Sequence, residues 1–138
     1  MRRSIDVGIP NEGDSVNALV VEDSSTIRLI LRKLLGKLGF QVVEACNGVE
    51  GLKRLKDMID ATVVIVDWNM PEMSGIDFVR AVRAQAEYDE LPLIMVTTNV
   101  EAENVTAALD AGANEYVMKP FTLDMIREKL ELLGLTKG

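Results

Sequence analysis

Histidine is absent from these 138 residues and cysteine occurs once, at Cys46. Without histidine, and with a single thiol, the chain cannot build the usual zinc sites or most nucleophile and base pairs. The lone cysteine also excludes an internal disulfide and suits a reducing compartment. Positive charge is scarce: 15 Lys and Arg stand against 22 Asp and Glu, a formal charge of -7. Nucleic acid and anionic membranes both require a basic surface, and no local cluster of Lys and Arg supplies one. No apolar stretch approaches membrane-spanning length, and Met1-Arg2-Arg3 leads into a polar segment rather than a signal-peptide core. The cytoplasm is therefore the expected location. Extended low-complexity tracts are missing too. What remains is a chain with 48% apolar residues, long enough for one core and short for two.

The apolar residues fall into an alternation. Residues 1–16 hold Gly8, Pro10 and Gly13 with no period, and are expected to be a flexible leader before a folded domain over 17–135 and a short tail over 136–138. The run at 18–21 reads as a buried strand that ends in Glu22-Asp23. Ser24 or Ser25 can cap the next segment, where Ile27, Ile30, Leu31, Leu34, Leu35 and Leu38 recur at helical spacing until Gly39. A strand is expected over 40–45, then a helix from Asn47-Gly48 marked by Val49, Leu52, Leu55 and Ile59. The run from Val63 toward Pro71 is too short and too apolar for an amphipathic helix, and reads as a central strand buried on both faces. A third helix follows through Ile76, Val79 and Val82, a fourth strand over 93–96, a weaker helix around Val105, Ala108 and Leu109, a short strand over 116–118, and a last helix through Leu123, Ile126, Leu130 and Leu133. Strand followed by helix, five times over, implies an α/β fold with parallel pairing, right-handed connections and helices on both faces of the sheet.

Polar groups gather where the strands stop. The first strand ends in Glu22 and Asp23, the third in Asp67, the fourth in Thr97 and the fifth in Lys119. Taken singly, each has an ordinary explanation: an acidic pair at a helix N-terminus, a capping aspartate, a strand-end hydroxyl, a solvated lysine. Their recurrence on successive strand ends carries the weight, because ligands in such sheets bind outside the carboxyl ends of the strands. If strands one, three, four and five are neighbours, three carboxylates crowd together and repel unless a cation sits among them. Hard oxygen ligands point to Mg2+, with room left for a phosphate oxygen. Metal, lysine and hydroxyl around one carboxylate suit phosphoryl transfer, with Asp67 as the nucleophile.

Glu22-Asp23-Ser24, Asp67-Trp68-Asn69-Met70-Pro71, Ser74-Gly75, Thr97 and Tyr116-Val117-Met118-Lys119-Pro120-Phe121 together resemble the receiver domain of bacterial two-component response regulators. Within that family the chain is most similar to the single-domain chemotaxis regulators. The resemblance implies a doubly wound, flavodoxin-like sheet of five parallel strands in the order 2-1-3-4-5. It implies that Asp67 accepts phosphate from a phosphohistidine of a sensor histidine kinase or histidine phosphotransfer protein. It assigns Mg2+ to the carboxylates of Asp23 and Asp67 and the main-chain carbonyl of Asn69, with Glu22 acting through water. Thr97 and Lys119 match the pair that contacts the acyl phosphate, Tyr116 the aromatic that switches rotamer with Thr97, and Lys119-Pro120 a peptide bond commonly cis in the family.

Such a chain is a stand-alone signalling switch and not an enzyme in the usual sense, since it catalyses only its own phosphorylation and dephosphorylation. It is expected to be monomeric. With no output domain expected beyond the fifth helix, the signal would leave through a face holding Ala102, Val105, Tyr116 and Lys129. A flagellar motor switch protein is the leading partner, and a phosphorelay or phosphate-sink role the alternative. Thr98, Asn69 and Asn99 are expected to flank the approach to Asp67, and the bulk of Thr98 to narrow it. The rival of another class is a small phosphohydrolase with an aspartate nucleophile, but that chemistry uses a second aspartate two residues on, where this chain has Asn69. A flavin or nucleotide module of the same fold would need a glycine-rich loop after the first strand, where Glu22-Asp23 stands instead.

Overall fold

Every buried strand residue needs an apolar wall on its own side of the sheet, and the helices supply one wall each side. The computed structural model describes residues 16–98 and 102–135. Its elements run β1 (Val16–Val21), α1 (Ser25–Lys37), β2 (Phe40–Ala45), α2 (Gly48–Asp57), β3 (Ala61–Asp67), α3 (Gly75–Arg83), a 3-10 turn (Ala86–Tyr88), β4 (Leu93–Thr97), α4 (Ala102–Ala111), β5 (Glu115–Met118) and α5 (Leu123–Leu132). All strand pairings are parallel, in the order β2-β1-β3-β4-β5. This is the expected fold and strand order.

Alternate residues of each strand face opposite sides. On one side Leu19, Val21, Val64, Val66, Leu93 and Met95 pack with Leu55 of α2, Phe78, Val79 and Val82 of α3, and Ala108 of α4. On the other, Ala18, Val20, Val63, Ile65, Ile94, Val96 and Val117 pack with Leu31 and Leu35 of α1 and Ile126 and Leu130 of α5. β1, β3 and β4 are therefore covered on both faces, which is why their sequences read as unbroken apolar runs.

Local chemistry starts and stops the helices. Ser24, Asn47, Ser74 and Thr122 each accept a hydrogen bond from the backbone N–H three residues on, satisfying donors that the first helical turn leaves open. At α2 the cap is reciprocal: Asn47 Oδ1 accepts from Glu50 N at 2.8 Å, and Glu50 Oε1 accepts from Cys46 N at 2.6 Å. Gly39 ends α1 with φ of 94°, a left-handed turn that glycine adopts at no steric cost.

The sequence reading departs from the structure at several boundaries. β1 starts at Val16, two residues before the strand expected over 18–21, and Val16 and Asn17 pair with Phe40 and Gln41; residues 1–15 lie outside the described part. Ile59, expected to mark α2, follows the helix and is 82% exposed, because α2 ends at Asp57 and the chain then turns through Asp60 at φ of 60°. Ile30 keeps helical spacing but faces solvent at 40% exposure. β3 ends at Asp67, where the sequence reading placed the end of the third strand, and Trp68 N still donates to Val96 O at 3.0 Å beyond it.

Candidate functional site

The strand order brings the carboxyl ends of β1, β3, β4 and β5 to one edge of the sheet. Glu22 follows β1 directly and is 1% exposed; its backbone N–H donates to Ala45 O at 3.0 Å, which extends the β1–β2 pairing by one bond. Asp67 closes β3 at 6% exposure and Thr97 closes β4 at 2%. Lys119 follows β5, and its N–H donates to Thr97 O at 2.9 Å, so the fourth and fifth strand ends stay together past the sheet. The Lys119-Pro120 peptide is cis.

One ammonium joins the strand ends. Lys119 Nζ lies 3.0 Å from Asp67 Oδ1 and 3.1 Å from Glu22 Oε1. Burial pushes the Glu22 carboxyl up to about 7; the Ser24 N–H, 3.1 Å from Glu22 Oε2, opposes the rise, Asp67 adds to it by charge, and Lys119 offsets part of it. Burial alone would depress the Lys119 ammonium, but hydrogen bonds and charge from Asp67 and Glu22 outweigh it and hold the group above its ordinary range. Asp23 is exposed, yet it offers a carboxylate oxygen to a cluster in which Glu22, Asp23 and Asp67 oxygens all lie within 4.8 Å of one another.

Three carboxylates facing one ammonium carry an excess of negative charge, and their donors are all hard oxygens. That donor set fits Mg2+ and does not fit a soft or imidazole-seeking metal. Beside the cluster a cleft of about 350 Å³ is lined by Asp23, Trp68, Asn69, Met70, Pro71 and Ser74. Asn69 is exposed on its wall and Trp68 half-buried. The loop below it turns back tightly: Gly75 N donates to Trp68 O at 2.8 Å, and a Cβ on Gly75 would strike the Asp67 carbonyl oxygen and lie 2.9 Å from Trp68 Cα.

Glu22, Asp23, Asp67 and Lys119 are thus drawn together, with Thr97 at the neighbouring strand end and Asn69 on the cleft wall. Thr98, next to Thr97, is exposed. Asn99 lies outside the described residues. Tyr116 belongs to a separate group on β5: the Lys129 Nζ lies 5.3 Å from its ring centroid and 3.0 Å from Glu115 Oε1. Val105 is half-buried on α4, and Ala102 opens that helix with its side chain outside the described part.

Sequence reasoning overlooked Arg28. From α1 its Nη1 donates to Glu22 O at 2.7 Å and to Asp23 O at 3.4 Å, while its Nε lies 3.2 Å from Glu44 Oε1 on β2. Its only signal was a basic residue four positions after the capping serine. The structural need for Gly75 at that position was equally hidden.

Comparison with known proteins places these residues among relatives. Residues 18–131 match the response regulator receiver domain. The chain is 47% identical over 116 residues to chemotaxis protein CheY1 of Helicobacter pylori, covering 83% of this chain and 94% of that protein. It is 48% identical over 122 residues to a chemotaxis protein CheY homolog of Campylobacter jejuni, covering 87% of this chain and 94% of the other. Among solved structures, chemotaxis response regulator CheY4 of Vibrio cholerae superposes with a TM-score of 0.81 at 33% identity, over 86% of this chain and 98% of that one.

Proposed function

The chain belongs to the response regulator receiver family, and from that premise we propose that it is a chemotaxis switch whose Asp67 carries the signal as an acyl phosphate. The observation that supports this most is the single ammonium of Lys119 shared by Asp67 at 3.0 Å and Glu22 at 3.1 Å, with Asp23 in the same cluster. Asp67 is fixed at the end of strand β3 and is 6% exposed, so little of it is open to a donor.

In the proposed reaction an Asp67 carboxylate oxygen attacks the phosphorus of a phosphohistidine. A P–O bond forms, the P–N bond breaks, and the imidazole nitrogen leaves with its electron pair. Lys119 already touches the attacking carboxylate and would follow the charge onto the phosphoryl oxygens, and the Thr97 hydroxyl at the next strand end would donate to the same oxygens. Asp23, Asp67 and the Asn69 carbonyl would hold Mg2+, with Glu22 reaching it through water. When bound, Mg2+ neutralises the charge that collects on the phosphoryl group. Buried Glu22 cannot move far, and it keeps Lys119 aimed at Asp67.

The phosphate donor is a sensor histidine kinase or histidine phosphotransfer protein, and the setting cytoplasmic; among the described residues no helix is long and apolar enough to cross a membrane. Output passes through the α4–β5–α5 face at Val105, Tyr116 and Lys129, toward a motor switch protein. The names of the Helicobacter and Campylobacter relatives support the chemotaxis assignment. Intact mass after incubation with Mg2+ and acetyl phosphate tests the reading: one phosphoryl adduct is expected on the parent, and none on Asp67→Asn, whose amide is a poor nucleophile. An adduct of equal yield on Asp67→Asn would refute the assignment.

A further inference from the structure

The loop that carries Glu22 and Asp23 has no secondary structure of its own, so its shape depends on what holds its carbonyls. Both carbonyls are held by one side chain. Arg28 Nη1 donates to Glu22 O at 2.7 Å and to Asp23 O at 3.4 Å, bracketing the Asp23 Cα from the two peptide groups on either side. The guanidinium is not free to drift: its Nε lies 3.2 Å from Glu44 Oε1, and the other Glu44 oxygen lies 3.4 Å from Arg32 Nη1. Arg28 and Glu44 side chains are 20% and 31% exposed, so this is a partly sheltered contact and not a solvated surface pair.

We propose that Arg28, anchored on Glu44, is a positioning residue for the cation centre: it fixes the peptide planes around Asp23 so that the Asp23 carboxylate faces Asp67. The inference rests on the Mg2+ reading above and adds to it a residue that touches neither metal nor phosphate. The planar fork is what the job needs, since one guanidinium serves two backbone carbonyls and a carboxylate at once, and a lysine ammonium cannot reproduce that geometry.

The proposal has a sign that simple charge does not share. A positive group beside a cation site repels the cation, so on electrostatic grounds alone removing Arg28 should tighten Mg2+ binding. Positioning predicts the reverse. Outer-shell groups of metal sites are worth about tenfold or more in affinity, and Arg28→Ala is expected to weaken Mg2+ binding by about tenfold.

The test is Mg2+ titration followed by Trp68 fluorescence, since Trp68 shares its cleft wall with Asp23, on the parent, Arg28→Ala, Arg28→Lys and Glu44→Ala, at low and high salt. Hydrogen exchange of the Asp23 and Ser24 amides without Mg2+ is the second readout. Expected are weaker binding in all three variants, Arg28→Lys resembling Arg28→Ala, a defect that persists at high salt, and faster amide exchange in the metal-free variants. Arg28→Lys binding as the parent does, or Arg28→Ala binding more tightly, would overturn the positioning role. If Arg28→Ala does not fold, Glu44→Ala decides by itself, because it keeps the guanidinium and removes the acceptor on which its Nε is anchored; parent-like affinity in that variant would also overturn the proposal. A parent that shows no Mg2+ response in either fluorescence or melting temperature would instead refute the cation reading on which the inference rests.

Discussion

Lys119 balances two carboxylates that are almost wholly enclosed, and its own side chain is 18% exposed. Replacing it by methionine leaves Glu22 and Asp67 facing each other without a counter-charge, a mechanism that costs several kcal/mol when complete burial forbids relief. Here Glu22, already pushed up to about 7, can take up a proton, and the expected loss is about 2 kcal/mol. Mg2+ should recover more stability in Lys119→Met than in the parent, because the variant site has lost its internal cation. Melting temperatures with and without Mg2+ check this, and equal shifts in both proteins would contradict it. Gly75 is constrained by space alone. Gly75→Ala drives a methyl group into the Asp67 carbonyl, an overpacking expected to cost about 1–3 kcal/mol and to slow phosphorylation by displacing the end of β3. Urea unfolding and acetyl phosphate labelling of the same preparation give both quantities; parent-like values of the two would show that the loop relaxes without cost.

Helices and strands were legible in the sequence wherever one physical cause dominated. The buried runs of β1, β3 and β4, the helix openings at Ser24 and Asn47, and Gly39 each announce themselves through short-range chemistry. What escaped were long-range polar contacts. Arg83, at the end of α3, donates from Nε to Gly112 O at 3.0 Å, from Nη1 to Tyr88 O at 2.6 Å and from Nη2 to Asn114 Oδ1 at 2.9 Å. Asn114 Oδ1 in turn accepts from Leu93 N at 2.8 Å. A partner 31 positions away leaves no trace in local spacing, so Arg83 reads in sequence as one more solvated helix residue, as Arg28 does. Ile59 failed the other way: it matched the helical period and yet fell beyond the end of α2, since periodicity cannot tell where a short helix stops. Arg83→Ala should cost about 2 kcal/mol through its orphaned carbonyls and raise hydrogen exchange at Gly112 to Asn114 and Leu93 above that in β1. Uniform exchange changes across the sheet would mean that the link between α3, β4 and the α4–β5 turn is not local.

At the scale of the molecule, the site residues could be named from strand ends, but their meeting depended on an order of strands that spacing does not contain. Only the family resemblance supplied it, and the register of β3 against both β1 and β4 is what sets Asp67 between Glu22 and Thr97. A charge excess built by topology should couple to overall stability. At Mg2+ tenfold above its dissociation constant the linkage relation gives about 1.4 kcal/mol, expected as a rise of a few degrees in melting temperature that Asp23→Asn largely abolishes. A full Mg2+ response in that variant would remove Asp23 from the cation site.

The turn between α2 and β3 has a practical consequence of its own. Ile59 stands 82% exposed there, Asp60 holds a left-handed φ of 60°, and β3 then runs its whole length before reaching Asp67. At about 3.3 Å per residue, that puts the turn roughly 20 Å from the carboxylates. Exposed tips of this kind accept new chain ends or guest domains, so a reporter domain spliced between Ile59 and Asp60 would ride on the protein while the acidic pocket at the opposite end keeps its geometry.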